Sequence, residues 1–144
     1  MKLDIEAHPR FPIAILFDFG NNMRGPRERS GYWAEMTVGK QKEAKDFQFG
    51  YSFIRIEKDA VIGAWNESDL RSSTNVLNHK LNFAYMVHSK VTAQYTAWIG
   101  RLANPRANTS LVPSGVRAAC TGSDVSNCRD PYLKRMQFDV IYKF

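Results

Sequence analysis

Residues 135–144 read Arg-Met-Gln-Phe-Asp-Val-Ile-Tyr-Lys-Phe. Met136, Phe138, Val140, Tyr142 and Phe144 occupy every second position, and Arg135, Gln137, Asp139 and Lys143 fill most of the positions between them. Successive side chains of a strand point to opposite faces, so this spacing predicts a β-strand with one apolar and one wetted face. Such a strand fits two settings: a half-buried sheet of an ordinary domain, or the wall of a barrel.

The same period recurs upstream. Ile13, Ile15, Phe17 and Phe19 alternate with Ala14, Leu16 and Asp18; Tyr32, Ala34, Met36 and Val38 alternate with Trp33, Glu35 and Thr37. Phe47, Phe49, Tyr51 and Phe53 form an unbroken aromatic stripe opposite Gln48, Gly50 and Ser52. Two further runs follow, Leu77 to Val87 and Val91 to Ile99, separated by the tight turn Ser89-Lys90. Residues 2–8 alternate briefly before His8-Pro9 interrupts them, which predicts a short strand. Residues 57–74 read as a structured loop with room for a helical turn, and 104–131 as a long irregular segment. A stripe of four aromatics requires a large apolar partner, either a facing sheet or lipid.

Composition agrees with an all-β chain of one domain. In 144 residues, 12% are aromatic, which favours strands over helices where long runs of helix formers are lacking. The net charge of +6 would suit a polyanionic partner, but acidic residues are mixed through most of the chain and no long basic block appears. Nucleic acid is therefore not expected as a partner. No run of about 18 apolar residues exists, so no transmembrane helix is predicted. The mean hydropathy of −0.40 is compatible with a membrane barrel, in which lumenal residues dilute the average.

Connection lengths separate the two settings. They run long (20–31), short (40–45), long (57–75), very short (89–90) and long (104–131). A Greek-key sandwich gives no reason for this regularity. An up-and-down transmembrane barrel does, with short periplasmic turns at one end and longer extracellular loops at the other. The strands of about 9–12 residues have the length that spans a tilted bilayer crossing. Six full strands and a remnant fall short of the eight of the smallest single-chain bacterial barrels. The expectation is therefore a C-terminal partial barrel of six or seven strands, residues 1–144, with 104–131 as a long extracellular loop. Its leader and remaining strands would lie upstream. A hairpin hidden in 104–131 would instead complete a small barrel.

Four segments carry a family resemblance: Phe47-Gln-Phe-Gly-Tyr51, Ile56-Glu-Lys-Asp-Ala-Val61, Asn66-Glu-Ser-Asp69, and Thr74-Asn-Val76 followed by His79 and an alternating strand. In their order they resemble the C-terminal half of a porin family of Gram-negative outer membranes. Trp65 and Leu70 stand where that family has Phe, and Asn78 where it has Gly. The last strand is likewise similar to the closing strand of outer-membrane barrels, in which a terminal Phe after alternating apolar residues is read by the barrel-assembly machinery. The resemblance implies passive diffusion of small hydrophilic solutes through the bacterial outer membrane.

On that reading Asp18, Glu35, Gln48, Lys80, Asn82, Gln94, Arg135, Asp139 and Lys143 line the pore. Phe47, Phe49, Tyr51, Phe83, Tyr85, Phe138 and Tyr142 meet lipid or its interfaces, and Phe138, Val140, Tyr142 and Phe144 carry the assembly signal. The partners are outer-membrane lipid, the assembly machinery, the missing N-terminal strands or like subunits, and the solutes. The competing reading is a soluble β-barrel or sandwich that binds an apolar ligand inside its aromatic stripes.

Catalysis, metals and cofactors are not expected. His8, His79 and His88 lie on different elements without ligand spacing, and neither a phosphate loop nor a nucleophile elbow is present. Cys120 and Cys128 fit two readings, a loop-closing disulfide of an oxidising compartment or a pair of free thiols.

Overall fold

Period-two alternation over six consecutive runs is realised as one meandering sheet. The computed structural model describes residues 1–6, 8–61, 69–122 and 127–144. Its strands are β1 (Lys2–Ile5), β2 (Ile13–Asn21), β3 (Ser30–Gly39), β4 (Phe47–Ile56), β5 (Val76–His88), β6 (Val91–Leu102) and β7 (Leu133–Tyr142). Each pairs antiparallel with the next, giving the spatial order β1-β2-β3-β4-β5-β6-β7. The chain is thus all-β with up-and-down topology, as the sequence predicts. The seven-stranded sheet is open, with β1 and β7 as its edges.

Register carries the alternation across strands. Phe49 sits opposite Val38 and Phe83, Phe83 opposite Tyr95, and Tyr95 opposite Phe138. Glu35 sits opposite Ser52, Ser52 opposite Lys80, Lys80 opposite Trp98, and Trp98 opposite Arg135. The apolar stripes thus share one face across the strands, and most of the polar residues share the other. A slip of one residue in any pair would exchange the two sets. The one irregularity is a shift between Met86 and His88 at the end of β5, next to the Ser89-Lys90 turn.

The compact core lies at one end of the polar face. There Ile54, Ile56 and Val76 are buried against Ala60 and Leu70 of the β4–β5 connection, with Trp33 packed alongside. A second cluster joins Leu102 to Val112, Val116, Cys120 and Cys128 of the β6–β7 connection. Both connections fold back over the polar face at this end.

Several boundaries differ from the sequence reading. β2 starts at Ile13, after Pro12, and both β2 and β3 run into the expected 20–31 loop, pairing Asn21 with Ser30. Their connection is hardly longer than the turn between β3 and β4, so loop alternation is pronounced only further along the chain. β7 begins at Leu133 and ends at Tyr142, leaving Phe144 beyond it. The 104–131 segment is not irregular: it holds a 3-10 helix (Pro105–Leu111) and α1 (Ser114–Thr121), and no hairpin among its described residues. Residues 57–61 and 69–75 form turns and bends, while 62–68, including Trp65, lie outside the described residues.

Candidate functional site

The polar face is built row by row. Near the short turns, Gln48, Ala84, Gln94 and Asp139 are cross-strand neighbours. Gln41 Nε2 donates to Gln48 Oε1 (2.8 Å), and Gln137 Nε2 donates to the Asp139 carboxylate (3.0 Å). In the next row Asn82 Nδ2 donates to Thr96 Oγ1 (3.0 Å). The third row carries the charges: Ser52 Oγ and Trp33 Nε1 donate to Glu35 Oε2 at 2.9 and 3.2 Å. Lys80 and Arg135 flank the Trp98 ring at 5.6 and 5.5 Å from its centroid, within cation–π range. Arg135 Nη1 also meets Asp69 at 2.6 Å.

All nine residues expected to line a pore fall on this side by strand parity, Lys143 standing just past the end of β7. They form no single cluster. Glu35, Lys80 and Arg135 share the charged row, whereas Asp18 lies apart, 3.6 Å from the N-terminal amine. The sequence reading missed Trp33, Ser52 and Trp98, which tie the charged row together. Their parity with Glu35 and Lys80 was the available signal.

The opposite face carries the aromatics. Phe47, Phe49, Tyr51, Phe83, Tyr85, Phe138 and Tyr142 share it with Ile13, Ile15, Phe17, Met36, Leu81 and Tyr95. It is charge-free on β4 to β7 between a rim of Arg55, Arg101 and Lys134 and the short turns. From Ile99 to Val91, the uncharged stretch of β6, a strand tilted as in membrane barrels would rise about 21 Å along the normal. No helix or strand among the described residues packs across it.

Exposure is inverted relative to an ordinary sheet. On β7, Met136, Phe138 and Val140 are 66%, 68% and 66% exposed, while Gln137 and Asp139 between them are half-buried. On β4, Phe47 and Phe49 are exposed, Gln48 is half-buried and Ser52 buried. Covering a half-exposed Phe, Leu or Val gains about 1 kcal/mol, so a face of a dozen such residues leaves on the order of 10 kcal/mol unrealised in water. That equals the whole stability of a typical domain.

At the core end the long connections are tied together. Asn75, buried with a φ of 56°, donates through Nδ2 to Asn104 O and accepts from Asn104 N at Oδ1, both at 2.7 Å. Asn104 Nδ2 also donates to Glu28 Oε1, so the β2–β3, β4–β5 and β6–β7 connections meet at one point. Arg71 Nη2 donates to Leu111 O (2.6 Å), and the buried Asp130 accepts from Leu102 N (2.8 Å). Cys120 and Cys128 form a disulfide that closes the end of α1 onto the following segment.

At the opposite end, Asp46 Oδ2 accepts from Glu43 N (3.0 Å) and Lys42 N (3.1 Å) in the β3–β4 turn. These two backbone donors, Glu43 first, hold the Asp46 carboxyl below the ordinary carboxylate range. The histidines are engaged locally: His79 Nδ1 with Tyr51 OH (2.8 Å), His8 Nδ1 with Arg10 N, and His88 Nδ1 with Ser89 Oγ. Among the described residues no group of three or more His, Cys, Asp or Glu could hold a metal ion. No described helix is long and apolar enough to cross a membrane, which bears only on helical spans. Comparison with known proteins gave no matching family model, curated protein or solved structure.

Proposed function

We propose that the chain builds part of the wall of a Gram-negative outer-membrane β-barrel, a porin through which small hydrophilic solutes diffuse passively. The observation that carries this reading is the inverted exposure: aromatic residues in register across the sheet face outward uncovered, while the polar rows are the more buried set. Lipid is the covering such a face fits. The charge-free band approaches the apolar height of outer-membrane barrels, about 25 Å.

In this arrangement the row of Glu35, Lys80, Trp98 and Arg135 borders the aqueous lumen. Its mixed charge suits hydrated solutes of either sign. The three tied connections form the external end, and the short turns the periplasmic end. The free edges of β1 and β7 call for further strands of the same barrel or of like subunits, because unpaired backbone groups in lipid cost several kcal/mol each.

A soluble sandwich or ligand-binding barrel would need a second layer over the aromatic face, and no described helix or strand packs there. Planar-bilayer recording of the protein after assembly in outer-membrane lipid tests the channel role. Stepwise, non-rectifying conductance is expected; a folded, inserted protein without conductance contradicts the pore. Recovery as a detergent-free monodisperse monomer contradicts the membrane placement.

A further inference from the structure

The charges of the aromatic face are sorted by sign and by position. On β4 to β7 this face carries Arg55, Arg101 and Lys134, all positive and all at the end of the long connections. The polar face of the same strands carries both signs, in Lys80, Arg135 and Asp139. At the short turns Arg10, Lys40 and Lys45 border one cavity together with Glu43 and Asp46, so cations there have acidic neighbours. Plain solvation sorts neither sign nor end.

Two of the three rim cations lack a counter-charge. Arg55 Nη2 lies 3.4 Å from Glu57 Oε1, whereas Arg101 and Lys134 meet no carboxylate among the described residues. Lys134 is exposed and sits opposite Ile99, two residues from Arg101 on the same face. Diagonal neighbours of paired strands stand about 7–8 Å apart, so one anionic group reaches both. Arg101 is half-buried, its guanidinium 5.1 Å from the centroid of the Tyr132 ring. Its Nε is enclosed against the protein without a hydrogen bond, which leaves the terminal nitrogens to meet a ligand. Tyr132 in turn stands 6.4 Å from His79, whose Nδ1 meets Tyr51 OH. Stacking therefore fixes a cationic ledge directly above the uncharged band.

The ledge and the band together specify an amphiphile. Two cations without counter-charges match a phosphomonoester, which carries about −1.5 to −2 near neutral pH, and the planar fork of an arginine suits its oxygens. Met136 and Phe138, 66% and 68% exposed below Lys134, offer a surface to acyl chains. A soluble anion would use the cations and leave these side chains uncovered. We propose that Arg101 and Lys134 dock the phosphomonoester headgroup of a membrane lipid, in the leaflet on the side of the long connections. The inference rests on the membrane placement proposed above and adds the lipid class that this face selects.

Quenching of a tryptophan placed beside the ledge, Met136→Trp, tests it in the full chain assembled into phosphatidylcholine vesicles. A minor fraction of brominated phosphatidic acid, phosphatidylglycerol or phosphatidylcholine serves as quencher, and emission of the protein without the added tryptophan is subtracted. Phosphatidic acid is expected to be preferred over phosphatidylcholine by about fivefold or more, the attraction of at least one surface cation for an anionic headgroup. Phosphatidylglycerol, with one charge, should fall between them. Arg101→Gln with Lys134→Gln should bring phosphatidic acid down to phosphatidylcholine, while Lys40→Gln at the other end keeps the preference. Should the double variant not assemble, the order of the three lipids on the Met136→Trp protein decides. Equal quenching by phosphatidic acid and phosphatidylcholine, equal quenching by phosphatidic acid and phosphatidylglycerol, a preference that survives the double variant, or its loss in millimolar inorganic phosphate overturns the proposal. No quenching in wholly brominated vesicles would contradict the membrane placement itself, and the docking site with it.

Discussion

At the scale of single residues, two positions in the β3–β4 turn carry sharp expectations. Gly39 has a φ of +93°, donates to Pro12 O (2.9 Å), and any Cβ there would collide with the Phe47 carbonyl. Gly39→Ala is expected to cost about 1–3 kcal/mol, read from the denaturation midpoint. An unchanged midpoint would mean that the turn relaxes freely. Asp46 has its folded pKa depressed by two backbone N–H groups. Its contribution to the turn is therefore complete above the unfolded carboxylate range and is lost as pH falls through the depressed folded value. The amide shifts of Lys42 and Glu43 should titrate together below the ordinary carboxylate range and lose that titration in Asp46→Asn. A midpoint at the ordinary value would contradict the hydrogen-bonded geometry. Neither feature shows in periodicity, because a turn's dihedrals leave no repeating pattern. Asn75 and Asn104 were hidden for a related reason: each looks like a polar loop residue, and only the fold reveals that they clasp each other.

At the scale of elements, the strands were legible because alternation is read directly from the residues. Phe47, Phe49, Tyr51 and Phe53 opposite Gln48, Gly50 and Ser52 define β4 and both its faces without further information. The helices of the β6–β7 connection were not legible. Asn104-Pro105 looks like a strand stop, yet Asn104 caps the 3-10 helix by accepting from Arg106 N, with Pro105 at its start. Helix α1 has a narrow apolar stripe, Val116 and Cys120, that gains meaning only through Leu102 and Val112 beneath it. The disulfide at its end should leave both thiols unmodified by alkylation without reductant, and two alkylated cysteines would contradict it. Faces of β7 give a paired prediction. Phe138→Arg is expected to destabilise the lipid-assembled protein by about 2–4 kcal/mol, whereas Gln137→Arg on the polar face should change it by less than about 0.5 kcal/mol. Equal effects on urea unfolding from bilayers would remove the distinction between the faces.

At the scale of the whole molecule, an open seven-stranded sheet has an uncovered aromatic face, loops folded over its polar face and two unpaired edges. The total apolar gain available on covering that face rivals a domain's stability, which is why we propose lipid as its cover. Sequence alternation carried the sheet order and both faces; it could not carry the packing of loops onto the polar rows, because Ile54, Ile56, Val76 and Leu102 occupy polar-side positions and find partners only through long-range contacts. Spin-label accessibility along β7 in a bilayer, one label at each of positions 134–142, tests the lipid-facing assignment most directly. Collision with dissolved oxygen should peak at positions 136, 138, 140 and 142, and collision with a water-soluble nickel chelate at 135, 137 and 139, with a period of two. Uniform access to the chelate at all positions, or oxygen maxima at the odd positions, would contradict it.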